Sequence, residues 1–127
     1  MKPFPRQRPY IKKNDGYYYK LYSSRKNWQA AHKQCKREGA NLAIIWNSKT
    51  RSIVRSMMRI GWIGATDKWR EGLWKTPTGG VIQYKSWGKG EPNNFRNEDC
   101  AIQNAHMKWN DARCSASFEF LCQKGKN

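Results

Sequence analysis

Oxygen-bearing side chains are concentrated in one short stretch of the chain, residues 91–111. Six of these carboxylate and amide side chains are candidate ligands, and they are Glu91, Asn93, Glu98, Asp99, Asn110 and Asp111. Hard divalent cations are bound by carboxylate, amide and backbone carbonyl oxygens, and Ca²⁺ takes about six to eight of them. The residue types and their spacing therefore predict a divalent-cation site, with Ca²⁺ as the favoured ion.

The charge of this stretch runs against that of the whole chain. The 127 residues include 25 Lys and Arg against 9 Asp and Glu, a net charge of +16. In residues 91–111, by contrast, four carboxylates accompany only Arg96 and Lys108 as cations. Clustered carboxylates repel one another unless a cation or protons neutralise them, which again indicates a metal. The alternative is that Asn, Asp and Glu populate a solvated loop, and it stays open for any single pair of them.

Zinc, copper and enzymatic catalysis are disfavoured by the histidines and cysteines. His32 and His106 are the only histidines, and no two cysteines have Cys-x-x-Cys spacing. A structural zinc site needs such ligand pairs. Neither histidine accompanies a pattern typical of a catalytic triad, and the chain has no Gly-rich phosphate loop. We therefore predict that the protein is not an enzyme.

The cysteines indicate an oxidising compartment, and they are Cys35, Cys100, Cys114 and Cys122. An even number in a small domain predicts two disulfides, although four cysteines allow three connectivities. We expect a secreted, extracellular protein, while four reduced thiols in a cytosolic protein remain the alternative. Residues 1–10 lack the apolar core of a secretory signal, so the sequence is expected to be a mature chain with an added Met1.

The hydrophobic pattern predicts short elements followed by a long loop region. A basic arm over residues 1–16 precedes an aromatic strand over 16–22. Two helices are expected, one from an N-cap at Ser24 to Gly39 and one capped by Ser48, with a short buried strand at Leu42–Trp46 between them. From residue 61 onward the apolar residues no longer follow a helical period, and Trp, Gly and Pro are frequent. Closing strands are expected around Trp109, Phe118, Phe120 and Leu121.

These elements predict an α+β class in one domain over residues 17–127. The 7 Trp, 6 Tyr and 4 Phe supply the apolar area that a disordered chain lacks. The longest apolar run, Leu42–Trp46, is far shorter than the roughly 20 residues that span a bilayer. Most tryptophans are expected in the core, whereas Trp69 lies between Lys68 and Arg70 and either stacks on a ligand or anchors the loop.

Basic side chains form a second candidate feature. Arg51, Arg55 and Arg59 recur every fourth residue and are expected to form one ridge on the second helix. A further basic cluster, Lys33, Lys36 and Arg37, lies near the end of the first helix. Such a surface attracts polyanions at low salt, although a merely solvated face is the usual alternative. The chain has no motif for specific nucleic-acid recognition.

Taken in order along the chain, several motifs resemble those of the C-type lectin-like domain family between about Tyr17 and Cys122. They are Trp62-Ile63-Gly64-Ala65, Glu71-Gly72-Leu73-Trp74, Tyr84, Trp87, Gly90-Glu91-Pro92-Asn93-Asn94, Asn97-Glu98-Asp99-Cys100, Trp109-Asn110-Asp111, Cys114 and Phe120-Leu121-Cys122. The resemblance implies two helices, small antiparallel sheets and a long calcium-binding loop region. It also implies Cys35–Cys122 and Cys100–Cys114 as the disulfides.

The resemblance further implies two Ca²⁺ sites. The principal one would also bind carbohydrate, and its residues would be Glu91, Asn93, Glu98, Asn110 and Asp111. The second would use Asp67, Glu71, Asn94, Glu98 and Asp99. Asn94 stands where Asp is frequent in the family, and one carboxylate fewer predicts weaker binding of this second ion.

The expected function is that of a Ca²⁺-dependent lectin. Glu91-Pro92-Asn93 is similar to the motif of family members that bind mannose, N-acetylglucosamine or fucose, so glycans ending in such sugars are the expected partners. Single sites of this kind bind weakly, which makes a homo-oligomer plausible because linked sites gain avidity. The alternative function is the same fold binding polyanions, anionic cell surfaces or mineral, with sugar binding secondary.

Overall fold

The computed structural model describes residues 9–92 and 98–125. Its elements are β1 (Ile11–Lys12), β2 (Tyr18–Lys26), α1 (Trp28–Arg37), β3 (Asn41–Leu42), α2 (Ser48–Met57), β4 (Gly61–Thr66), β5 (Cys100–Gln103), β6 (Trp109–Ala112) and β7 (Phe118–Lys124). The α+β class predicted from the sequence is confirmed. β1 lies within the stretch that was predicted to be an arm, and it pairs with the start of β2.

The strands form one mixed sheet in the order β1-β2-β7-β4-β5-β6, with β3 also paired to β7. The pairs β1–β2, β2–β7, β3–β7, β4–β5 and β5–β6 are antiparallel, and β4 runs parallel to β7. The antiparallel pairs expected from the resemblance are therefore joined through β4–β7. β7 follows the other elements in sequence but occupies a central position in the sheet.

Asparagine rather than serine caps both helices, so α1 begins three residues later than the sequence predicted and α2 one residue earlier. The Asn27 side chain accepts a hydrogen bond from the Ala30 backbone N–H at 2.8 Å, and Ser24 instead lies in the irregular end of β2. Asn47 caps α2 in the same way, so Ser48 is the first helical residue. The predicted stop after α1 is correct, since Gly39 has a φ of 73°, a conformation that glycine adopts without strain.

The strand predicted at 42–46 is mostly wrong. The β3 ladder with β7 covers Asn41–Leu42, the Ala43 N–H adds one bond to the Leu121 carbonyl oxygen at 2.9 Å, and the chain stays buried as far as Ile45. The side-chain amide of Gln123 replaces the strand ladder, because it donates to the Ile44 carbonyl oxygen at 3.0 Å and accepts from the Ile44 N–H at 3.2 Å. Trp46 is 46% exposed and stacks on Tyr17.

The core lies on either side of the sheet and contains most of the tryptophans predicted there. One cluster includes Ile53 and Val54 of α2 with Trp74 and Trp109, and the other packs Trp28 of α1 against residues of the sheet. Two disulfides, Cys35–Cys122 and Cys100–Cys114, have the pairing implied by the resemblance. Neither described helix is both long and apolar enough to cross a membrane.

Candidate functional site

A turn docked on β6 brings Glu91 to the start of that strand. Trp87 forms a parallel bridge with Trp109, and the Gly88 N–H donates to the Trp109 carbonyl oxygen at 2.9 Å. The Glu91 N–H then donates to the Gly88 carbonyl oxygen at 3.0 Å, which closes the turn. The Glu91–Pro92 peptide bond is cis. Since Asn110–Asp111 follows Trp109 directly, the turn places Glu91 beside these two residues.

We call Glu91, Asn110 and Asp111 the Glu91 site. Ionisation of Glu91 is disfavoured there, because the site is partly buried and already contains the Asp111 carboxylate. Burial raises the pKa of Glu91, and the neighbouring Asp111 carboxylate raises it further, while the Asn110 side chain and the Asp111 backbone oppose the increase. Asp111 is only 4% exposed. The Asn104 side-chain amide donates to Asn110 Oδ1 at 2.9 Å and fixes its orientation. Two half-buried or buried acids thus meet around an oriented amide.

The remaining residues predicted for the principal site are only partly described. Glu98 is half-buried and lies two residues before Cys100, which pairs with Ala112 across β5–β6. This register places Glu98 at the end of the ladder that contains Asp111. Asn93 lies outside the described residues, as does Asn94 of the predicted second site.

A second group of acids is defined more completely, and we call it the Asp67 cluster (Asp67, Glu71 and Asp99). One carboxylate oxygen from each of the three lies within 4.8 Å of the others. The Asp67 N–H donates to the Asp99 carbonyl oxygen at 3.0 Å, and the Thr66 hydroxyl donates to the same oxygen at 2.6 Å. These bonds join the end of β4 to the residue before β5. The Gly72 N–H donates to Asp67 Oδ2 at 2.8 Å and holds the turn that carries Glu71.

The Asp67 cluster lacks a neutralising partner among the described residues. Burial raises the pKa of Asp67 to about 7, and Asp99 and Glu71 raise it as well, against the lowering effect of the Gly72 N–H. Asp67 Oδ1 and Asp99 Oδ1 are buried and accept no hydrogen bond within residues 9–92 and 98–125. Lys68 contacts the faces of the Trp28 and Trp69 rings with its Nζ. A divalent cation fits this set, because it would supply both the missing charge and a partner for each orphaned oxygen.

The arginines predicted to form a basic ridge on α2 contact the loop region instead. Arg51 donates to the Ser86 hydroxyl at 2.8 Å, and Arg55 donates to the Ala105 carbonyl oxygen at 2.7 Å. Of the three, Arg51 and Arg55 are half-buried and Arg59, beyond the end of α2, is exposed. The sequence pattern missed this role because helical spacing identifies a shared face but not what covers it. These bonds support the segments on either side of the Glu91 site.

Comparison with known proteins is consistent with this architecture. Residues 24–124 match the family described as Lectin C-type domain. The chain belongs to the C-type lectin domain family. C-type lectin lectoxin-Lio3 of Erythrolamprus poecilogyrus is 35% identical over 117 residues, which cover 83% of this chain and 73% of that protein. The carbohydrate-recognition domain of the mouse scavenger receptor C-type lectin is 27% identical, with a TM-score of 0.87 and coverage of 94% and 96% of the two chains.

Family membership confirms the predicted fold and the prediction that the protein is a binding domain and not an enzyme. The fold alone does not establish a need for calcium. A calcium-independent type II antifreeze protein shares it with a TM-score of 0.82 at 23% identity, over 88% of each chain. Calcium dependence in this chain must therefore be argued from its own carboxylates.

Proposed function

We propose that this protein is a calcium-dependent lectin that binds sugars through two adjacent hydroxyl groups. The observation that carries the proposal is the Glu91 site, where Glu91 is held against Asn110 and Asp111 at the start of β6. Burial and the neighbouring Asp111 carboxylate raise the pKa of Glu91, and a bound cation would compensate the repulsion between the two acids. Family membership supports a glycan as the ligand.

The residues that would hold the principal ion are Glu91, Asn93, Glu98, Asn110 and Asp111. Bound Ca²⁺ supplies open coordination positions for two vicinal hydroxyl oxygens. The carboxylates accept hydrogen bonds from the same hydroxyls, and the side-chain amides donate to them, which uses the full bonding capacity of each hydroxyl. The Glu91-Pro92-Asn93 order supports mannose, N-acetylglucosamine or fucose as the sugar type.

A second ion would be held by Asp67, Glu71, Asn94, Glu98 and Asp99. Its role would be structural, since the Asp67 cluster joins the end of β4 to the residues that precede β5. Glu98 would belong to both ligand sets and would connect the two ions. The two disulfides support a secreted, extracellular location for the protein.

The decisive experiment measures binding of mannose and galactose by calorimetry, with Ca²⁺ and with EDTA. We expect mannose binding that EDTA abolishes. Glu91→Gln preserves shape but removes one ligand charge, and we expect it to weaken Ca²⁺ binding by about tenfold or more. Glu119→Gln is the matched control, because Glu119 lies outside both ligand sets. Undiminished mannose binding in EDTA would contradict the proposal.

Sugar preference provides a separate test of the Glu-Pro-Asn assignment. The double variant Glu91→Gln with Asn93→Asp keeps an acid and an amide but exchanges their positions. We expect the preference to move from mannose towards galactose, because the pattern of donors and acceptors around the ion is reversed. Unchanged mannose preference would refute the sugar type while leaving calcium-dependent binding intact.

Polyanion binding is a second candidate function, favoured by the net charge of +16. Residues 1–60 contain 15 basic and only 2 acidic side chains, so much of the positive charge lies away from the carboxylate sites. Binding of this kind would persist in EDTA and fall steeply with salt, since exposed charges are screened over about 10 Å at 0.1 M ionic strength. The two functions are therefore separable in one set of titrations.

A further inference from the structure

A surface cavity of about 290 Å³ opens at the start of β7. It is lined by Arg25, Arg59, Ile60, Ser117, Phe118 and Glu119. None of these residues belongs to the Glu91 site or to the Asp67 cluster. The volume is at the lower end of the range for small-ligand sites, which suits a group no larger than one or two sugar rings. We call it the Arg25 cavity.

The sheet topology explains how two distant arginines reach one cavity. β7 lies between β2 and β4, with Lys26 of β2 opposite Phe118 and Gly61 of β4 opposite Glu119. Arg25 comes directly before Lys26, and Arg59 comes two residues before Gly61. The two arginines therefore approach the first residues of β7 from its two sides.

A bulge in β2 exposes the Arg25 side of the cavity. Pairing with β7 passes from Tyr22–Phe120 to Lys26–Phe118, so three residues of β2 lie opposite Glu119 alone. Those three residues, Ser23, Ser24 and Arg25, are all exposed. Bulges of this kind bend a strand and redirect its side chains, and they are frequent beside binding sites.

The hydrogen-bonding groups of the cavity remain available for a ligand. Within the described residues, neither the Arg25 nor the Arg59 guanidinium has a hydrogen bond or an ion pair, in contrast to Arg51 and Arg55. The Glu119 carboxylate lines the same cavity without forming an ion pair there. Phe118 and Ile60 give the lining an apolar part, and the Phe118 ring is held edge-on against Trp62 with ring centroids 4.9 Å apart.

We propose that the Arg25 cavity binds an acidic sugar, with Arg25 and Arg59 donating to its sulfate or carboxylate group. A planar guanidinium group donates two parallel hydrogen bonds to two oxygens of a sulfate or a carboxylate, whereas an ammonium group has no such paired donors. Glu119 accepts a hydrogen bond from a neighbouring sugar hydroxyl, and its negative charge disfavours a bare inorganic anion. This site operates without Ca²⁺, independently of the proposed lectin activity, and it gives the second candidate function a defined location.

The test is a calorimetric titration in EDTA with three ligands: a sulfated disaccharide, a uronic-acid disaccharide and the uncharged parent disaccharide. Arg25→Gln with Arg59→Gln should weaken binding of the charged ligands by at least about tenfold. The matched control is Lys33→Gln with Lys49→Gln, which removes the same charge from exposed positions on the two helices. It should change affinity by less than about twofold. Equal losses in both double variants would overturn the proposal, because net charge alone would then explain binding.

Two further variants separate a shaped site from general attraction. Arg25→Lys with Arg59→Lys keeps the charge but removes bidentate donors, and we expect it to weaken binding by about fivefold or more. Glu119→Gln should strengthen binding of inorganic sulfate more than binding of the acidic sugars, because both ligands escape a repulsion but only the sugars lose a charged hydrogen-bond acceptor. An unchanged affinity in the lysine variant would overturn the proposal.

Nuclear magnetic resonance of the unmodified protein provides a test that does not depend on any variant folding. The sulfated disaccharide should shift the backbone amide signals of Ser117, Phe118 and Glu119 in EDTA. Shifts confined to other segments would overturn the assignment of the cavity. Mannose binding in Ca²⁺, measured alongside, should be unaffected by Arg25→Gln with Arg59→Gln, so failure of either proposal is recognisable separately.

Discussion

At the residue scale, Asp67 combines a structural bond with an electrostatic penalty. Its Oδ2 accepts the Gly72 N–H that holds the following turn, while its Oδ1 is buried without a hydrogen bond among the described residues. Asp67 is 2% exposed and lies against two other carboxylates. With its pKa raised to about 7, Asp67 is only partly ionised at neutral pH without a cation, and the charge that destabilises the ion-free fold is the charge that would bind the ion.

The Asp67 charge destabilises the ion-free protein but would bind the ion, so we predict that Asp67→Asn changes stability in opposite directions in EDTA and in Ca²⁺. In EDTA the variant should be at least as stable as the unmodified protein, by up to about 2 kcal/mol, because the repulsion is removed. In millimolar Ca²⁺ the order should reverse, because the unmodified protein gains binding free energy on folding and the variant gains less. Thermal unfolding of both proteins with and without Ca²⁺ provides the measurement. An equal calcium-induced rise in melting temperature would contradict the assignment of Asp67 as a ligand.

The residues of the Asp67 cluster were predicted from the sequence, but the hydrogen bonds that hold them in place were not. Asp67, Glu71 and Asp99 are recognisable because they occupy positions implied by the family resemblance. The Thr66 hydroxyl bond to the Asp99 carbonyl oxygen joins residues 33 positions apart, and no local pattern predicts such a contact. Asn93 and Asn94 stay predictions, because they lie outside the described residues.

At the element scale, Glu38 links α1 to β2 and to the segment before β1. Glu38 is the C-cap residue of α1, and the hydroxyls of Tyr10 and Tyr22 both donate to its carboxylate. Gln34 also donates to it at 2.8 Å, and Lys20 lies 3.9 Å away. Burial by itself raises the pKa of Glu38, but the three hydrogen bonds and Lys20 together hold it below its ordinary value.

The lowered pKa of Glu38 predicts a stability that falls in acid. The folded state favours the ionised form of Glu38. The contribution of Glu38 to the free energy of unfolding is therefore complete above its unfolded pKa of about 4.3, and it is lost as the pH falls through the lower folded pKa. Glu38→Gln should cost about 1–3 kcal/mol at pH 7 and make the free energy of unfolding less dependent on pH below 5. Urea denaturation between pH 2.5 and 7 measures both effects. Parallel pH profiles for the two proteins would show that Glu38 is not the group responsible.

Element boundaries were predicted less well than element types, for reasons that individual residues make clear. The N-cap moved from Ser24 to Asn27 because Lys26 still pairs with Phe118, a contact that only the folded sheet provides. The Leu42–Trp46 strand ended early because the Gln123 side chain, distant in sequence, takes the backbone groups of Ile44. Gly39 was predicted correctly because its requirement for a positive φ is local.

At the scale of the whole molecule, the parallel β4–β7 pair joins two antiparallel halves of the sheet. One half contains β1, β2, β3 and β7, and the other contains β4, β5 and β6, within or next to which lie Asp67, Asp99 and Asp111. Gly61 makes the junction possible, because a Cβ there would lie 2.5 Å from the Glu119 carbonyl oxygen. That contact is with backbone, which cannot move aside as a flexible side chain can.

Gly61→Ala is therefore expected to destabilise the whole protein by about 3 kcal/mol or more. Gly125→Ala is the matched control, since a Cβ at Gly125 would meet no atom within 4 Å. Urea denaturation followed by tryptophan fluorescence measures the difference. A Gly61→Ala protein as stable as the control would mean that the two halves are not held as closely as the β4–β7 register indicates.

The central position of β7 has a consequence for biosynthesis. Until Phe118–Lys124 has been made, β2 and β4 have no common neighbour, and Cys35 has no partner for its disulfide. The aromatic strand β2 is made well before β7, and until then its edge is open to pairing with other chains. Closure of the sheet and oxidation of Cys35 therefore follow the synthesis of β7, because β2 and β4 share only this neighbour and Cys122 lies within it.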